Sequence, residues 1–98
     1  MARALGYSTT AILVAIKDGA RYGLDIIERT RFPSGTVYPA LSRLERRGYV
    51  TGTWEDRRVA DREGRPRRRY YQITPDGRAA LLAALQRFGE LMQGVRNA

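Results

Sequence analysis

Ser34-Gly35-Thr36-Val37-Tyr38-Pro39-Ala40-Leu41-Ser42-Arg43-Leu44-Glu45-Arg46-Arg47-Gly48-Tyr49-Val50 contains the change of period on which the fold turns. Up to Arg47 the apolar residues recur at helical spacing, and from Val50 they alternate. At about 100° per residue, Val37, Leu41 and Leu44 make an inward stripe. Pro39, Ser42, Arg43 and Arg46 lie roughly opposite, with Tyr38 at the border. Ser34 or Thr36 caps the helix and Gly48 stops it. With Thr36 as cap, Pro39 falls at the third helical position, where its missing N–H would have lacked a partner anyway, so the later start is favoured. The outward face is polar, basic and free of acids. Glu45 lies nearer the buried side, bonding the segment before the helix.

Toward the N-terminus, Gly23 to Thr30 reads as a second helix, with Leu24, Ile27 and Ile26 inward and Asp25, Glu28 and Arg29 toward water; Phe32-Pro33 ends it. A first helix runs from about Thr9 to Lys17, with Ser8, Thr9 or Thr10 as N-cap and Asp18-Gly19 closing it. Ala11 to Ile16 leave that helix no polar face, so it must be covered on two sides, by the core and by a partner chain.

Toward the C-terminus, Val50, Gly52 and Trp54 alternate with Thr51, Thr53 and Glu55. Arg69, Tyr71 and Ile73 alternate with Arg68, Tyr70 and Gln72. These runs read as an antiparallel hairpin joined by a charged loop, Asp56 to Pro66. Thr74-Pro75 then opens a last helix, Thr74 as N-cap and Pro75 at the first helical position. Its Leu81, Leu85, Phe88, Met92 and Val95 are spaced 4, 3, 4, 3, the seam of a coiled coil. Some 22 helical residues extend roughly 33 Å, longer than so small a domain can cover, and the excess seam argues for a second subunit.

The whole chain has 98 residues, 18 Lys+Arg against 10 Asp+Glu, a net charge of +8, and neither His nor Cys. That length makes one domain with a marginal core. Without Cys there is no disulfide framework or thiolate site, and without His the commonest base and metal ligand are gone. No catalytic constellation remains and no cofactor is implied, so the chain reads as no enzyme. The apolar run Ala11 to Ile16, like the slightly longer Ala79 to Leu85, is far short of the roughly 20 residues of a membrane span. Met1 to Ser8 lack the apolar core of a secretory leader, and the expected location is the cytoplasm. Charge is concentrated between Arg57 and Arg69, where seven arginines meet two acids, a local balance of +5. A cluster of this kind marks a polyanion partner or a solvated loop.

Helix, helix, helix, hairpin, helix is the order of a mainly α (α+β) winged helix-turn-helix with a two-stranded wing and a C-terminal dimerisation helix. Residues 1–74 would be the DNA-binding domain and residues 75–98 the dimerisation helix, in one compact unit. The third helix would enter the major groove of double-stranded DNA, while wing residues Arg65, Arg67 and Arg68 bind phosphate. The competing class is a winged-helix module for protein interaction or RNA binding. The acid-free third helix favours DNA, because a protein-docking face more often shows apolar anchors.

Particular motifs carry a closer likeness. Tyr22-Gly23-Leu24-Asp25-Ile26-Ile27, the Ser34–Glu45 run, Gly48-Tyr49-Val50, Trp54, Gly64-Arg65-Pro66-Arg67-Arg68-Arg69-Tyr70-Tyr71-Gln72-Ile73-Thr74 and Gly77 together resemble the PadR family of bacterial transcriptional regulators, over about residues 8–85. The resemblance implies a homodimeric DNA-binding repressor of the smaller subfamily, with a single C-terminal helix. It implies a dimer interface of first and last helices, which takes in Ile12 and Ile16 with the seam Leu81, Leu85, Phe88, Met92 and Val95. Many members release DNA when a small molecule binds, and some sense aromatic compounds. The family pattern places Ser34, Thr36, Tyr38 and Pro39 at the DNA-facing start of the third helix, and the projection above adds Ser42, Arg43 and Arg46. The loop Glu55 to Glu63, with Arg57, Arg58 and Arg62, is longer than the family usually has, leaving groove preference open.

Several of these residues carry a second reading. Tyr38 reaches phosphate through its hydroxyl or sits at the core edge; Ser34 and Thr36 touch DNA or only cap; Pro39 is a shape element more than a contact. Arg69 packs its stem beside Trp54. Trp54 stacks on a flat ligand or, as its strand position beside Val50 favours, belongs to the core. Phe88 and Met92 line an effector cavity or, as their spacing favours, pack a dimer.

Overall fold

The computed structural model describes residues 4–96; the outermost positions of both proposed segments, and Met1 to Arg3 of the leader reading, lie outside them. The described chain has five helices and one two-stranded antiparallel sheet: α1 Tyr7–Lys17, α2 Gly23–Thr30, α3 Ser34–Arg46, β1 Val50–Trp54, α4 Arg57–Glu63, β2 Arg69–Ile73 and α5 Pro75–Arg96. It is the expected winged helix-turn-helix, with one added helix inside the wing. No described helix is long and apolar enough to cross a membrane.

Ile12, Leu13, Ile26, Val37, Leu41, Leu44 and Val50 are fully buried where α1, α2, α3 and the root of β1 meet, and Leu81 and Ala84 of α5 close the cluster. The predicted stripe of α3 is thus the centre of the core. Ile12, Ile16 and Leu81, expected at a dimer interface, are instead buried inside this core, with little or none of their surface left for a partner. Only the later seam is available, because α5 runs on past the body that Leu81 anchors. The outer side of α1 is also less bare than its sequence implied. Ala11 and Val14 face α5 across a groove of about 860 Å³ that includes Tyr7, Phe32, Phe88 and Met92.

Helix starts differ from expectation at two places. α1 begins after Gly6 with no side-chain cap, and the Thr10 hydroxyl donates back to the Gly6 carbonyl at 2.7 Å rather than capping. α3 begins at Ser34 with Pro33 as its uncapped N-terminal flank, so Thr36 is no cap and Pro39 is the sixth helical residue. A proline there removes the N–H that would bond the Gly35 carbonyl. Gly35 is exposed, so water can take the missing donor's place. In α2, Ile26 is fully buried, and Leu24, about 200° away round the helix, is 65% exposed rather than inward.

The strands pair Val50 with Ile73 and Trp54 with Arg69. β2 is flanked on its other edge by the segment before α2: Tyr22 bridges Tyr70, and the Tyr71 N–H donates to the Arg21 carbonyl at 2.7 Å. That pairing fixes the start of α2 beside the wing. Trp54, expected in the core, is 55% exposed. It stands four residues, roughly 13 Å, beyond buried Val50, which carries it past the helices that cover the strand root. The expected charged loop contains α4. Its Asp56 carboxylate accepts the Arg58 N–H at 2.9 Å as N-cap, Ala60 is buried, and Gly64 (φ 66°) ends it in the left-handed conformation glycine adopts freely. Thr74 opens α5 as predicted, accepting the Gly77 N–H at 3.0 Å while donating to the Gly48 carbonyl at 2.6 Å.

Candidate nucleic-acid interface

Two surfaces were expected to meet DNA, the outer face of α3 and the wing. On α3, burial of Val37, Ala40, Leu41 and Leu44 turns Pro39, Ser42, Arg43 and Arg46 to solvent, where they line a shallow hollow of about 610 Å³ with Glu45. Neither Arg43 nor Arg46 is in an ion pair among the described residues. Glu45, the acid bordering this face, binds Arg69 of β2 at 2.6 Å, not the segment before α3, so its charge is answered from the wing side. Ser34 is exposed and Thr36 half-buried on the first turn. Tyr38, at the border as projected, lays its ring against Gly23 at the start of α2. A Cβ at Gly23 would lie 2.5 Å from that ring, so a side chain there would push the end of Tyr38 aside.

The wing is organised around an acid that no sequence motif singles out. Glu55, just beyond β1, is almost wholly buried, and its carboxylate accepts from both guanidinium nitrogens of Arg65 (2.7 and 2.9 Å), the Tyr70 hydroxyl (3.0 Å) and the Arg68 N–H (3.2 Å). The Arg65 bonds foremost, with those from Arg68 and Tyr70, outweigh desolvation and hold the Glu55 carboxyl down at about 2, so it stays an anion throughout the neutral range. Arg65 also pairs with Glu63, and its own pKa is raised chiefly by the Glu55 bond. Its side chain is only 20% exposed. The guanidinium expected to reach phosphate is therefore spent inside the wing, on the carboxylates of Glu55 and Glu63.

Pairing thins the cluster further. Arg58 is bound to Asp56, which lowers the Asp56 pKa, and Arg69 to Glu45. Arg57, Arg62, Arg67 and Arg68 are in no ion pair among the described residues. Two of them are positioned by aromatic rings. The Arg68 guanidinium lies 4.0 Å from the Tyr22 ring centre, and that of Arg67 lies 5.4 Å from the Trp54 ring while its Nε donates to the Glu55 carbonyl at 3.0 Å. Arg69 does lie beside Trp54, at 5.3 Å. The wing thus presents Arg67 and Arg68 on a braced hairpin, and α3 presents Arg43 and Arg46 on a rigid helix. Unpaired guanidiniums on rigid elements are suited to phosphate and base edges. Among the described residues no group of three or more acids is arranged to hold a metal ion.

A family model described as the PadR-like family of transcriptional regulators matches residues 12–83. The chain belongs to the PadR-like family. Its fold recurs in a transcriptional regulator from Clostridium thermocellum, 30% identical with a TM-score of 0.77 over 94% of this chain and 88% of the other. A PadR family regulator from Clostridium difficile is 25% identical, with a TM-score of 0.76 over 94% and 96% of the two chains. A PadR-like regulator from Bacillus cereus is 26% identical, with a TM-score of 0.72 over 91% and 87%. None of the curated proteins compared with the chain matches it significantly. Membership supports a DNA-binding regulator of transcription. The PadR-like motif around Gly64–Thr74 also has a local explanation here, since it holds Arg65 against Glu55 and sets Arg67 and Arg68 on the wing surface.

Proposed function

We propose that this PadR-like chain is a sequence-specific repressor that binds double-stranded DNA in the cytoplasm as a homodimer and responds to a small-molecule effector. The observation that carries the DNA contact is the pairing of two unneutralised sets of arginines, Arg43 and Arg46 on α3 and Arg67 and Arg68 on the wing. The helix reads base edges with Arg43, Arg46, Ser42 and the first-turn residues Ser34 and Thr36, while Tyr38 and Pro39 shape its entry. The wing holds phosphate with Arg67 and Arg68, and Arg65 keeps the hairpin in position. A dimer seated on promoter DNA obstructs transcription, which is the ground for reading it as a repressor. Leu85, Leu91, Met92 and Val95 stay exposed along α5 and supply a dimer seam; the groove between α1 and α5 is the place for an apolar or aromatic effector.

Salt dependence tests the contact. Arg67→Ala with Arg68→Ala is expected to weaken binding to all duplexes alike and to flatten the slope of log K against log salt by about 0.9 for each phosphate no longer neutralised. Arg43→Ala with Arg46→Ala is expected to erase preference between duplexes, each base contact being worth about 1–3 kcal/mol of discrimination. Fluorescence anisotropy over a salt series reads both. Unchanged slopes and equal affinity for every duplex in the unmodified protein would reject the assignment.

A further inference from the structure

Between the wing and α2–α3 lies a hollow of about 530 Å³ whose walls include Tyr22, Leu24, Tyr38, Trp54, Arg67 and Arg68. Leu24, Trp54 and Tyr38 come from three different elements, and each is substantially exposed. Large apolar groups gathered on a cationic face are not explained by phosphate binding alone, and leaving them wet is unfavourable. Nor do they belong to the α5 seam. Their surroundings indicate what covers them. Trp54 is flanked by Arg67 (5.4 Å) and Arg69 (5.3 Å), Tyr22 lies under Arg68 (4.0 Å), and neither Arg67 nor Arg68 is in an ion pair among the described residues. An occupant must therefore be anionic at the arginines and apolar between them. Small aromatic anions have one charged end; a DNA strand alternates phosphate with the apolar face of deoxyribose and so matches the alternation of the walls.

We propose that this hollow seats one deoxyribose-phosphate stretch of a DNA strand, Trp54 and Leu24 against the sugar and Arg67 and Arg68 on the flanking phosphates. The inference rests on the DNA-binding reading and adds two apolar contacts to it. Their contribution differs in kind from that of the arginines. Covering apolar surface releases no counterions, so removal of Trp54 or Leu24 lowers affinity without changing the salt slope.

Trp54 is the only tryptophan, so its emission reports on the hollow directly. Titrating the full chain at low salt with a mixed-sequence duplex of about 30 base pairs, a few helical turns, is expected to shift that emission in step with the anisotropy isotherm. Trp54→Ser and Leu24→Ser are each expected to weaken binding about tenfold, the effect of roughly 50 Å² of apolar surface left wet, with the salt slope unchanged. Trp54→Phe is expected to keep most of the affinity, and circular dichroism of every variant checks the fold. Binding of the duplex with Trp54 emission unmoved would overturn the proposal while leaving the DNA reading intact. So would a Trp54→Ser variant that flattens the salt slope as Arg67→Ala does, since Trp54 would then act only by posing Arg67. An emission shift produced by benzoate and not by the duplex would replace the strand with a small-molecule site. No binding of any duplex at low salt would remove both readings.

Discussion

Leu85→Glu combined with Met92→Glu is expected to turn the protein into a monomer and to lower its affinity for a two-half-site duplex about a hundredfold or more. The two residues stand seven apart on α5, at equivalent positions of the predicted seam, and both are exposed in the single chain. They differ in this from Leu81, which is buried in the chain's own core, so the pair can be changed without opening that core. Exposed Val95 continues the same seam and exposed Leu82 and Leu91 flank it on either side, and a monomer seldom leaves so much apolar side chain uncovered. Charges placed on both copies of a self-complementary seam would face each other and be stripped of their water. Each monomer would then hold one half-site, and the second binding event would cease to be intramolecular. Light scattering with anisotropy on the same samples decides it. A double variant that still elutes as a dimer, or an unmodified chain that is monomeric at micromolar concentration, would contradict the seam.

Gly77→Ala is expected to destabilise the fold by about 3 kcal/mol, a Tm decrease on the order of 15 °C. A Cβ at Gly77 would lie 2.0 Å from the Tyr49 carbonyl oxygen and 2.9 Å from Ile73 Cγ1. The carbonyl cannot yield easily, because it is backbone and already accepts the Thr74 N–H at 3.0 Å. The same turn carries the Thr74 cap, so moving α5 outward to clear the methyl would also strain the bonds to Gly77 and Gly48. Gly89→Ala on the same helix has open space around it and serves as the control, with no decrease expected. Thermal unfolding followed by circular dichroism measures both. Equal midpoints for Gly77→Ala and the unmodified chain would contradict the close approach of α5 to Tyr49.

What could be read beforehand was governed by local chemistry. The α3 stripe, the outward Arg43 and Arg46, the hairpin and the Thr74-Pro75 start each rest on residues within one or two turns of each other, and all recur in the structure. α4 was hidden because seven residues rich in charge carry no apolar period, although Asp56 and Gly64 flank it with capping chemistry. Pro39 alone does not fix the start of α3, since the exposed Gly35 carbonyl tolerates the missing donor and the helix begins at Ser34. Leu24, Trp54 and Arg65 depended on neighbours distant in sequence. Whether Trp54 is covered follows from how far β1 runs past the helices, and whether Arg65 is free follows from where Glu55 and Glu63 stand. Ile12 and Ile16 face the interior although α1 is apolar all round, because α2, α3 and α5 pack against that helix within one chain.

Selection of bound duplexes from a random pool asks at once whether α3 and the wing of a two-fold dimer read DNA sequence. Enrichment of an inverted repeat is expected, with half-sites centred about 10–10.5 base pairs, or a multiple of that, apart. A bound fraction with the same composition as the input pool would contradict sequence reading by this protein.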